Sequence, residues 1–374
     1  MTDSVHEPAA TEAGVCQQGP TPAKQGSGRP QLSWSRTQAS TFAFSTLTLI
    51  ANVVTGVLIA RALGTTGRGE LTAIMALPVT IGWVFAMGCF QAVSYHQAKH
   101  PEDGGRLIAT WLVLLVPLSA LAILGGSLLL PALFSAQTDN ARDLAQIYLL
   151  TVSLAVASEI FYGVLLGDQE FLFYNVLRFV QPTLLVIFFV FLWAADEFSV
   201  ETALVATFVV VSALLAVTAA KVLRRHALAR PSMSLMRSTL WYGVRAHGTN
   251  VGSLINARLD LLIIPAFLTA STVGLYAVAI AATSVIPVIA GGLSALVLPA
   301  AARRGVQGTE TVIRSLHATL AVSLFLAAGL ALFAEPAISL VYGSAFDESA
   351  LPLRLLLPGT VLYTAAGVLW SGLY

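Results

Sequence analysis

Residues 39–71, ASTFAFSTLTLIANVVTGVLIARALGTTGRGEL, join an uncharged apolar run to a segment that carries arginine and glycine. The run, residues 39–60, is 22 residues long. As a helix that rises about 1.5 Å per residue, it is long enough to cross the ~30 Å hydrocarbon layer of a bilayer. We therefore expect a membrane-spanning helix, followed by a loop that contains Arg61 and Arg68.

A polar stripe runs along this first helix. Ser45, Thr48, Asn52 and Thr55 recur at intervals of three, four and three residues, which places their side chains on one helical face. A polar face is costly against lipid, so it is expected to turn toward a bundle interior or a water-filled cavity.

The same pattern recurs 205 residues later. This offset aligns LIARALGTTGRGELTAI with IIPAFLTASTVGLYAVA and matches Gly69 with Gly274. The four stripe positions then fall on Asn250, Ser253, Ala257 and Asp260, three of which are polar. Six predicted spans separate the two copies, and an even number restores the orientation. The pattern predicts a duplication in parallel, related by an axis along the membrane normal.

The composition is that of an integral membrane protein. Hydrophobic residues make up 56% of the 374 residues and charged residues 10%, with a mean hydropathy of +0.80, whereas soluble domains carry about 25% charge. The net charge of +1 says nothing about nucleic acid, but no basic patch interleaved with aromatics appears, so no nucleic-acid partner is expected. Cys16 and Cys89 suggest neither a disulfide framework nor a thiolate metal site.

The predicted fold is all-α, a polytopic transmembrane helical bundle built from two pseudo-repeated lobes. Ten spans are expected: the first helix and residues 71–95, 107–131, 144–166, 171–195, 202–220, 246–268, 272–299, 315–334 and 355–374. Residues 1–35 are predicted to be a disordered tail, 36–220 a six-helix N-terminal lobe and 241–374 a C-terminal lobe of about four helices, which we expect to be incomplete.

The distribution of basic residues predicts the orientation. Thirteen Lys and Arg residues lie in the tail and every second loop, against Arg61, Arg68, Arg142 and Arg354 in the opposite loops. The positive-inside rule makes the tail cytoplasmic, in a multi-pass protein of the cell membrane. Residues 221–240 carry five basic residues and no acidic one, which predicts a cytoplasmic linker between lobes. Its charge fits ordinary anchoring at the lipid surface, or a docking site for an enzyme or anionic lipid.

The sequence contains none of the motifs of common enzymes. HExxH, GxSxG and phosphate-binding loops are absent, and no histidine pair is spaced for metal ligation on a helix. We expect a protein that is not an enzyme, has no cofactor or metal, and cannot hydrolyse ATP itself.

Charges inside the predicted spans are the strongest site candidates, because each costs about 2.5 kcal/mol or more at mid-membrane unless paired or hydrated. Span seven contains Arg258 and Asp260, with Arg245 at its edge. Arg258 lies about 200° around the helix from Asp260 and needs another helix, a cavity or a ligand. For Arg245, snorkelling to the interface is the alternative. Asp260 is a candidate for ion or proton coupling, with a structural hydrogen bond as the alternative.

A second pair of charges lies in spans four and five. Glu159 and Arg178 are either partners in a structural ion pair or members of a site. As a site residue, Glu159 is a further candidate for ion coupling.

Three segments resemble a known family. IARALGTTGRGEL, through Arg61, Leu63, Gly64 and Gly69, resembles the lipid-linked oligosaccharide flippases, the polysaccharide transporter family of the multidrug/oligosaccharidyl-lipid/polysaccharide exporter superfamily. NARLDLLIIPAFLTASTVGLYAVA resembles that family's second-lobe opening, and VYGSAFDESALPLRLLLPG resembles a later loop. The ten spans are fewer than such proteins have, which suggests that the second lobe is incomplete.

The resemblance implies a MATE-like, V-shaped pair of lobes around a central cavity. The implied activity is alternating-access flipping of an undecaprenyl-diphosphate-linked oligosaccharide from the cytoplasmic to the outer leaflet, with a polysaccharide polymerase and glycosyltransferases as further partners. Guanidinium groups pair well with phosphate oxygens, so Arg258 and Arg245, with Arg178, are predicted to attract the diphosphate. Asn52 and Asn250 are predicted to meet sugar hydroxyls.

Three other functions stay open. A lipid II flippase is a close relative, and a cation-coupled multidrug antiporter of the same superfamily is expected to have an acidic cavity with few arginines. A non-transporting membrane scaffold for a glycan assembly complex represents a different class and would tolerate a filled cleft.

Overall fold

The computed structural model describes the backbone of residues 34–290 and 309–372, and the side chains in these ranges except at 34–42, 249–258, 309, 311 and 370–372. Every regular element in these ranges is helical, which confirms the predicted all-α class. The α-helices, in chain order, are α1 (Trp34–Phe85), α2 (Cys89–Lys99), α3 (Gly104–Leu133), α4 (Asp139–Tyr148), α5 (Val152–Gly167), α6 (Phe171–Ala194), α7 (Val200–Arg225), α8 (Met233–Ile263), α9 (Ala270–Thr283), α10 (Thr309–Leu332), α11 (Ala334–Tyr342) and α12 (Ala350–Gly372). The predicted tail lies outside the described residues except for its last two, which belong to α1.

Within the described ranges, eight helices are long and apolar enough to cross a membrane. The ten predicted spans differ from this set in two places. The first two predicted spans both begin within α1, and α8, which corresponds to the seventh, is not among the eight. The central side chains of α8, at 249–258, lie outside the described residues, and neither of its two described ends is long enough by itself to count as a span. The protein is a multi-pass membrane protein.

The predicted loop after residue 60 is not a loop. The helix continues through Arg61 and Arg68 to Phe85, and only Gly64 leaves helical geometry, with φ 65° and ψ −170°. Glycine adopts a positive φ readily because it lacks a Cβ. The chain therefore changes direction at Gly64 alone, and α1 consists of two helical halves, 34–63 and 65–85.

The second predicted span, 71–95, is also interrupted. Met87 and Gly88 have φ values of 51° and 69°, which end α1 and separate it from α2. Gly88 lies against α8: a Cβ on Gly88 would lie 2.1 Å from the carbonyl oxygen of Gly243. The break thus occurs where the backbones of two helices approach closely.

The two copies of the repeat meet in a crossing that we call the glycine seam, formed by Thr65, Gly69, Ala270 and Gly274. A Cβ on Gly69 would lie 1.7 Å from the carbonyl oxygen of Ala270, and a Cβ on Gly274 would lie 2.0 Å from that of Thr65. Adding 205 to 65 and 69 gives 270 and 274, so the contact is reciprocal between equivalent residues, as across a two-fold axis. The offset found in the sequence therefore describes real packing between the pseudo-repeated lobes.

Side-chain contacts around the seam join the same elements. The hydroxyl of Ser271 donates to that of Thr65 at 2.9 Å. Arg61 donates from Nε to the carbonyl of Val341 at 2.9 Å and from Nη2 to that of Leu340 at 2.7 Å, at the end of α11. A buried cluster that includes Ala60, Val278, Ile338 and Tyr342 packs beside these bonds. These contacts join α1, α9 and α11 around the seam.

Candidate functional site

A cavity of about 280 Å³ lies between α1 and α6. Its lining residues on α1 are Phe44, Ser45, Thr48, Leu49 and Asn52, those on α6 are Asn175 and Arg178, and Val288 closes it from the helical segment 285–290. The cavity therefore contains hydroxyl, amide and guanidinium groups on an otherwise apolar wall, a combination typical of ligand sites.

The polar stripe of the first helix faces this cavity, as its periodicity predicted. Ser45, Thr48 and Asn52 all line it. Thr55, one turn further along, instead donates its hydroxyl to the carbonyl of Ala51 at 2.8 Å, a local bond within the helix. Three of the four stripe residues are thus available to a ligand.

Arg178 provides the positive charge at the cavity, and an aromatic cluster holds it in place. Its guanidinium carbon lies 5.6 Å from the ring centroid of Tyr174, within the range of a cation–π contact. Tyr174 packs edge-on against Tyr162 at 5.7 Å and tilted against Phe90 at 6.4 Å. Because Tyr174 packs against rings from α2 and α5, its contact with Arg178 holds the guanidinium group in one position.

Arg178 has no carboxylate partner among the described side chains, since none of the salt bridges within those ranges includes it. Glu159 on α5 is only within longer electrostatic range of Arg178. The ion pair that the sequence offered as one alternative is therefore not formed as a direct salt bridge. The charge of Arg178 remains available to an anion.

The remaining predicted site residues lie on α8. Arg245 is exposed and lies 5.9 Å above the ring of Trp241, outside the lining of the cavity. Asn250 and Arg258 lie in α8, but only their backbone is described, and their side chains lie outside the described residues. Of the three predicted arginines, Arg178 is the one whose described side chain lines the cavity.

Asp260 makes hydrogen bonds with both carboxylate oxygens. Tyr276 donates its hydroxyl to Oδ2 at 2.8 Å, and the amide of Leu261 donates to Oδ1 at 2.8 Å. The first bond links α8 to α9. This geometry matches the structural alternative that the sequence analysis left open for Asp260.

Sequence reasoning missed Asn175 and the tyrosine pair of Tyr162 and Tyr174. Asn175 precedes Arg178 by three residues, so both lie on one face of α6, and this spacing is a usable signal. The contact between Tyr162 and Tyr174 joins two helices, and no sequence periodicity reports it. Among the described residues, no cluster of His, Cys, Asp or Glu has the arrangement of a metal site.

A second, more open depression of about 410 Å³ lies near α11 and is lined by Glu335, Pro336, Ser339, Asp347 and Glu348. Its three carboxylates would repel an anionic ligand. The smaller cavity beside Arg178 is therefore the better candidate site.

The fold matches solved transporters. An inward-facing multidrug resistance MATE family transporter of the MOP superfamily has a TM-score of 0.67 at 18% identity, over 90% of this chain and 84% of that one. The lipid II flippase MurJ, in an inward closed conformation, has a TM-score of 0.73 at 16% identity, over 89% and 76%. The MATE multidrug transporter DinF-BH has a TM-score of 0.63 at 18% identity, over 93% and 86%. These similarities establish a two-lobed transporter fold.

No curated protein sequence matches this chain. A family model, described as polysaccharide biosynthesis protein, matches residues 37–304, which is most of the chain. The chain therefore belongs to the polysaccharide biosynthesis protein family and is a membrane transporter of the flippase or exporter type.

Proposed function

We propose that the protein flips an undecaprenyl-diphosphate-linked oligosaccharide from the cytoplasmic to the outer leaflet by alternating access, with its N-terminus in the cytoplasm. Sugar hydroxyls and a diphosphate cannot cross hydrocarbon unaided, because each unpaired polar group costs several kcal/mol. A polar, cationic cleft supplies hydrogen bonds to the headgroup while the polyprenyl tail stays in the bilayer. The lipid bilayer and the lipid-linked substrate are the partners that this activity requires.

The observation that carries the proposal is one cavity that contains both Arg178 and the polar stripe. The guanidinium group pairs with phosphate oxygens, and the hydroxyl and amide groups of Ser45, Thr48 and Asn52 pair with sugar hydroxyls. The volume of about 280 Å³ is near the lower end for ligand pockets. It is suited to part of the headgroup at a time.

Arg178 is the primary anion contact in this proposal. Asn250 is assigned a contact with the same headgroup from the second lobe, because the offset of 205 makes it equivalent to Ser45, which lines the cavity. Arg258, which the offset aligns with Val53 outside that lining, is assigned a contact with the diphosphate through its charge. Arg245 is assigned a contact at the entrance. For energy coupling, Glu159 is preferred to Asp260, because the bonds to Tyr276 and Leu261 already use both oxygens of Asp260.

A lipid II flippase is the nearest rival, since its cargo carries the same lipid diphosphate. A multidrug antiporter that exports cations is disfavoured, because the described cavity lining contains Arg178 and no carboxylate. A scaffold in a glycan assembly complex, where polymerase and glycosyltransferases are the partners, would not need an open cavity.

The test uses the full chain in proteoliposomes that contain an undecaprenyl-diphosphate-linked oligosaccharide, with exposure of the sugar on the opposite leaflet measured by an added glycosidase. Hydrogen bonds to charged groups are worth about 1.5–3 kcal/mol. Arg178→Gln is therefore expected to slow flipping at least about tenfold, and Arg178→Lys to restore part of the rate. Arg314→Gln removes the same charge from a surface pair with Glu310 and serves as the matched control.

Equal rates for wild type, Arg178→Gln and Arg314→Gln would reject the anion site. Flipping of lipid II at the same rate as the oligosaccharide would favour the lipid II flippase. No flipping of either substrate by the well-folded wild type, at any imposed ion gradient, would favour the scaffold.

A further inference from the structure

The first half of α8 has one face buried against the first lobe. Gly243 packs on the break before α2, where its Cβ would lie 2.6 Å from the carbonyl oxygen of Met87. Tyr242 stacks on Tyr95 with ring centroids 4.5 Å apart and planes at 12°. Thr239 is completely buried. The orientation of this half-helix is therefore fixed.

Its opposite face presents four residues spaced by four: Met233, Arg237, Trp241 and Arg245. At 100° per residue they are centred about 180° from Thr239. All four are exposed, with Met233 at 73% and Trp241 at 65%. We call this face the outer stripe of α8.

The outer stripe has positive charge and no compensating carboxylate. The first turn of α8 contains no acidic residue, and residues 233–247 contain none either. No salt bridge among the described side chains includes Arg237 or Arg245. Arg245 instead lies over the ring of Trp241.

The predicted span 246–268 places the stripe, which precedes it, at the depth of lipid headgroups. Arg237 precedes residue 246, where the predicted span begins, by nine residues, or about 13 Å of helix. Arg224 and Arg225 end α7, and the connection that follows returns along α3: the amide of Ser232 donates to the hydroxyl of Thr110 at 3.1 Å. The start of the stripe is thus held against α3, after a connection that follows the two arginines at the end of α7.

We propose that the outer stripe of α8 binds the phosphate headgroup of an anionic phospholipid from the leaflet on its own side of the membrane. Tryptophan and arginine are suited to this depth, since the indole lies among headgroups and the guanidinium reaches phosphate while its stem lies on apolar surface. The positive charge of the stripe complements an anionic headgroup, whereas a zwitterionic one offers no net attraction. A bound lipid at this face anchors α8 together with the first lobe.

The experiment measures lipid that remains bound to the purified full chain by native mass spectrometry, after incubation with either phosphatidylglycerol or phosphatidylcholine. A basic residue near an anionic surface contributes about a fivefold change in binding. Arg237→Gln is therefore expected to weaken retention of phosphatidylglycerol about fivefold, and Trp241→Ala to weaken it as well. Arg314→Gln, the same charge change in the other lobe, is expected to leave retention unchanged.

Trp241→Tyr keeps an amphipathic ring at this position and is expected to retain most of the lipid, which separates loss of contact from loss of folding. Equal retention by wild type, Arg237→Gln and Trp241→Ala overturns the proposal. So does equal retention of phosphatidylcholine. Displacement of phosphatidylglycerol by undecaprenyl diphosphate from Arg245→Gln, which keeps Arg237 and Trp241 but lacks the arginine assigned to the transported lipid, overturns it too.

Discussion

The two halves of α1, before and after Gly64, lie in different environments. Before Gly64, Ser45 and Asn52 are exposed and line a cavity. After Gly64, one face of the helix is buried, with Ile74 and Leu77 inaccessible, and Gly69 lies against Ala270 of α9. The difference lies in the packing partner, because the half after Gly64 makes backbone contact with α9 at the glycine seam, whereas the half before it lines a cavity with α6. One helix thus packs tightly in one half and lines a cavity in the other.

The largest effect is expected from adding a methyl group at the glycine seam, which tests whether the backbones must be in contact there. Gly69→Ala places a Cβ 1.7 Å from a backbone oxygen, which cannot move aside without separating the lobes. We expect about 3 kcal/mol of destabilisation, at the upper end for overpacking. The first measurement is the thermal unfolding midpoint, which should decrease. The second is disulfide formation between cysteines introduced by Thr65→Cys and Ser271→Cys, and we expect Gly69→Ala to prevent this disulfide from forming.

The matched control is Gly329→Ala, since a Cβ on Gly329 meets nothing within 4 Å. It is expected to leave both the midpoint and the disulfide unchanged. If Gly69→Ala formed the disulfide as well as wild type, the seam would not be the tight contact between lobes.

Filling the other half of α1 is expected to change transport and not stability. Asn52→Trp places an indole in a cavity of about 280 Å³, which leaves too little space for a headgroup. Flipping in proteoliposomes is expected to fall at least about tenfold, a loss of about 1.4 kcal/mol in the effective barrier. Leu47→Trp, at a position exposed outside the cavity lining, is the control. A transport rate for Asn52→Trp equal to that of Leu47→Trp would mean that the cavity carries no cargo.

A smaller effect is expected from Arg61, which joins the seam end of α1 to α11. Arg61→Gln removes its charge-assisted hydrogen bonds to the carbonyls of Leu340 and Val341. Because Arg61 is exposed, we expect Arg61→Gln to lower the free energy of unfolding by about 1 kcal/mol, which is below the usual range for hydrogen bonds to charged groups. The thermal unfolding midpoint should decrease by a few degrees, and the disulfide between Thr65→Cys and Ser271→Cys should still form. A decrease as large as that of Gly69→Ala would show that Arg61, rather than the backbone contact, holds the seam.

The smallest effect is expected away from both halves of α1, between α5 and α6. A hydrogen bond from Arg225 lowers the pKa of Glu170 below its usual value, with Lys221 contributing through its charge. A lowered carboxyl pKa stabilises the folded state above the unfolded pKa, near 4.3. This stabilisation is lost as the pH falls through the folded pKa.

Thermal unfolding measured from pH 7 to pH 3 should therefore show a smaller loss for Glu170→Gln than for wild type. At pH 7 the variant should be slightly less stable, since it lacks the ionised partner of Arg225. Identical pH curves would contradict the assigned pKa shift.

The spacing of polar residues predicted the α1 side of the cavity, whereas the α6 side depends on how the helices pack. The intervals of Ser45, Thr48 and Asn52 are local, because residues on one helix keep their spacing whatever surrounds them. A loop was predicted after residue 60, whereas the structure confines the break to Gly64, since the flanking residues form a helix. The support of Arg178 was missed because Tyr162 and Tyr174 lie on different helices.

The sequence by itself determined that this protein is a helical membrane protein with a duplicated core, because hydropathy, spacing and an offset of 205 are properties of the linear chain. Only the tertiary structure decided that Gly69 meets Ala270, that Asp260 accepts a bond from Tyr276, and that Arg178 faces the polar stripe. Each of these contacts joins two different helices. Their partners depend on how the helices pack, which no local pattern of residues encodes.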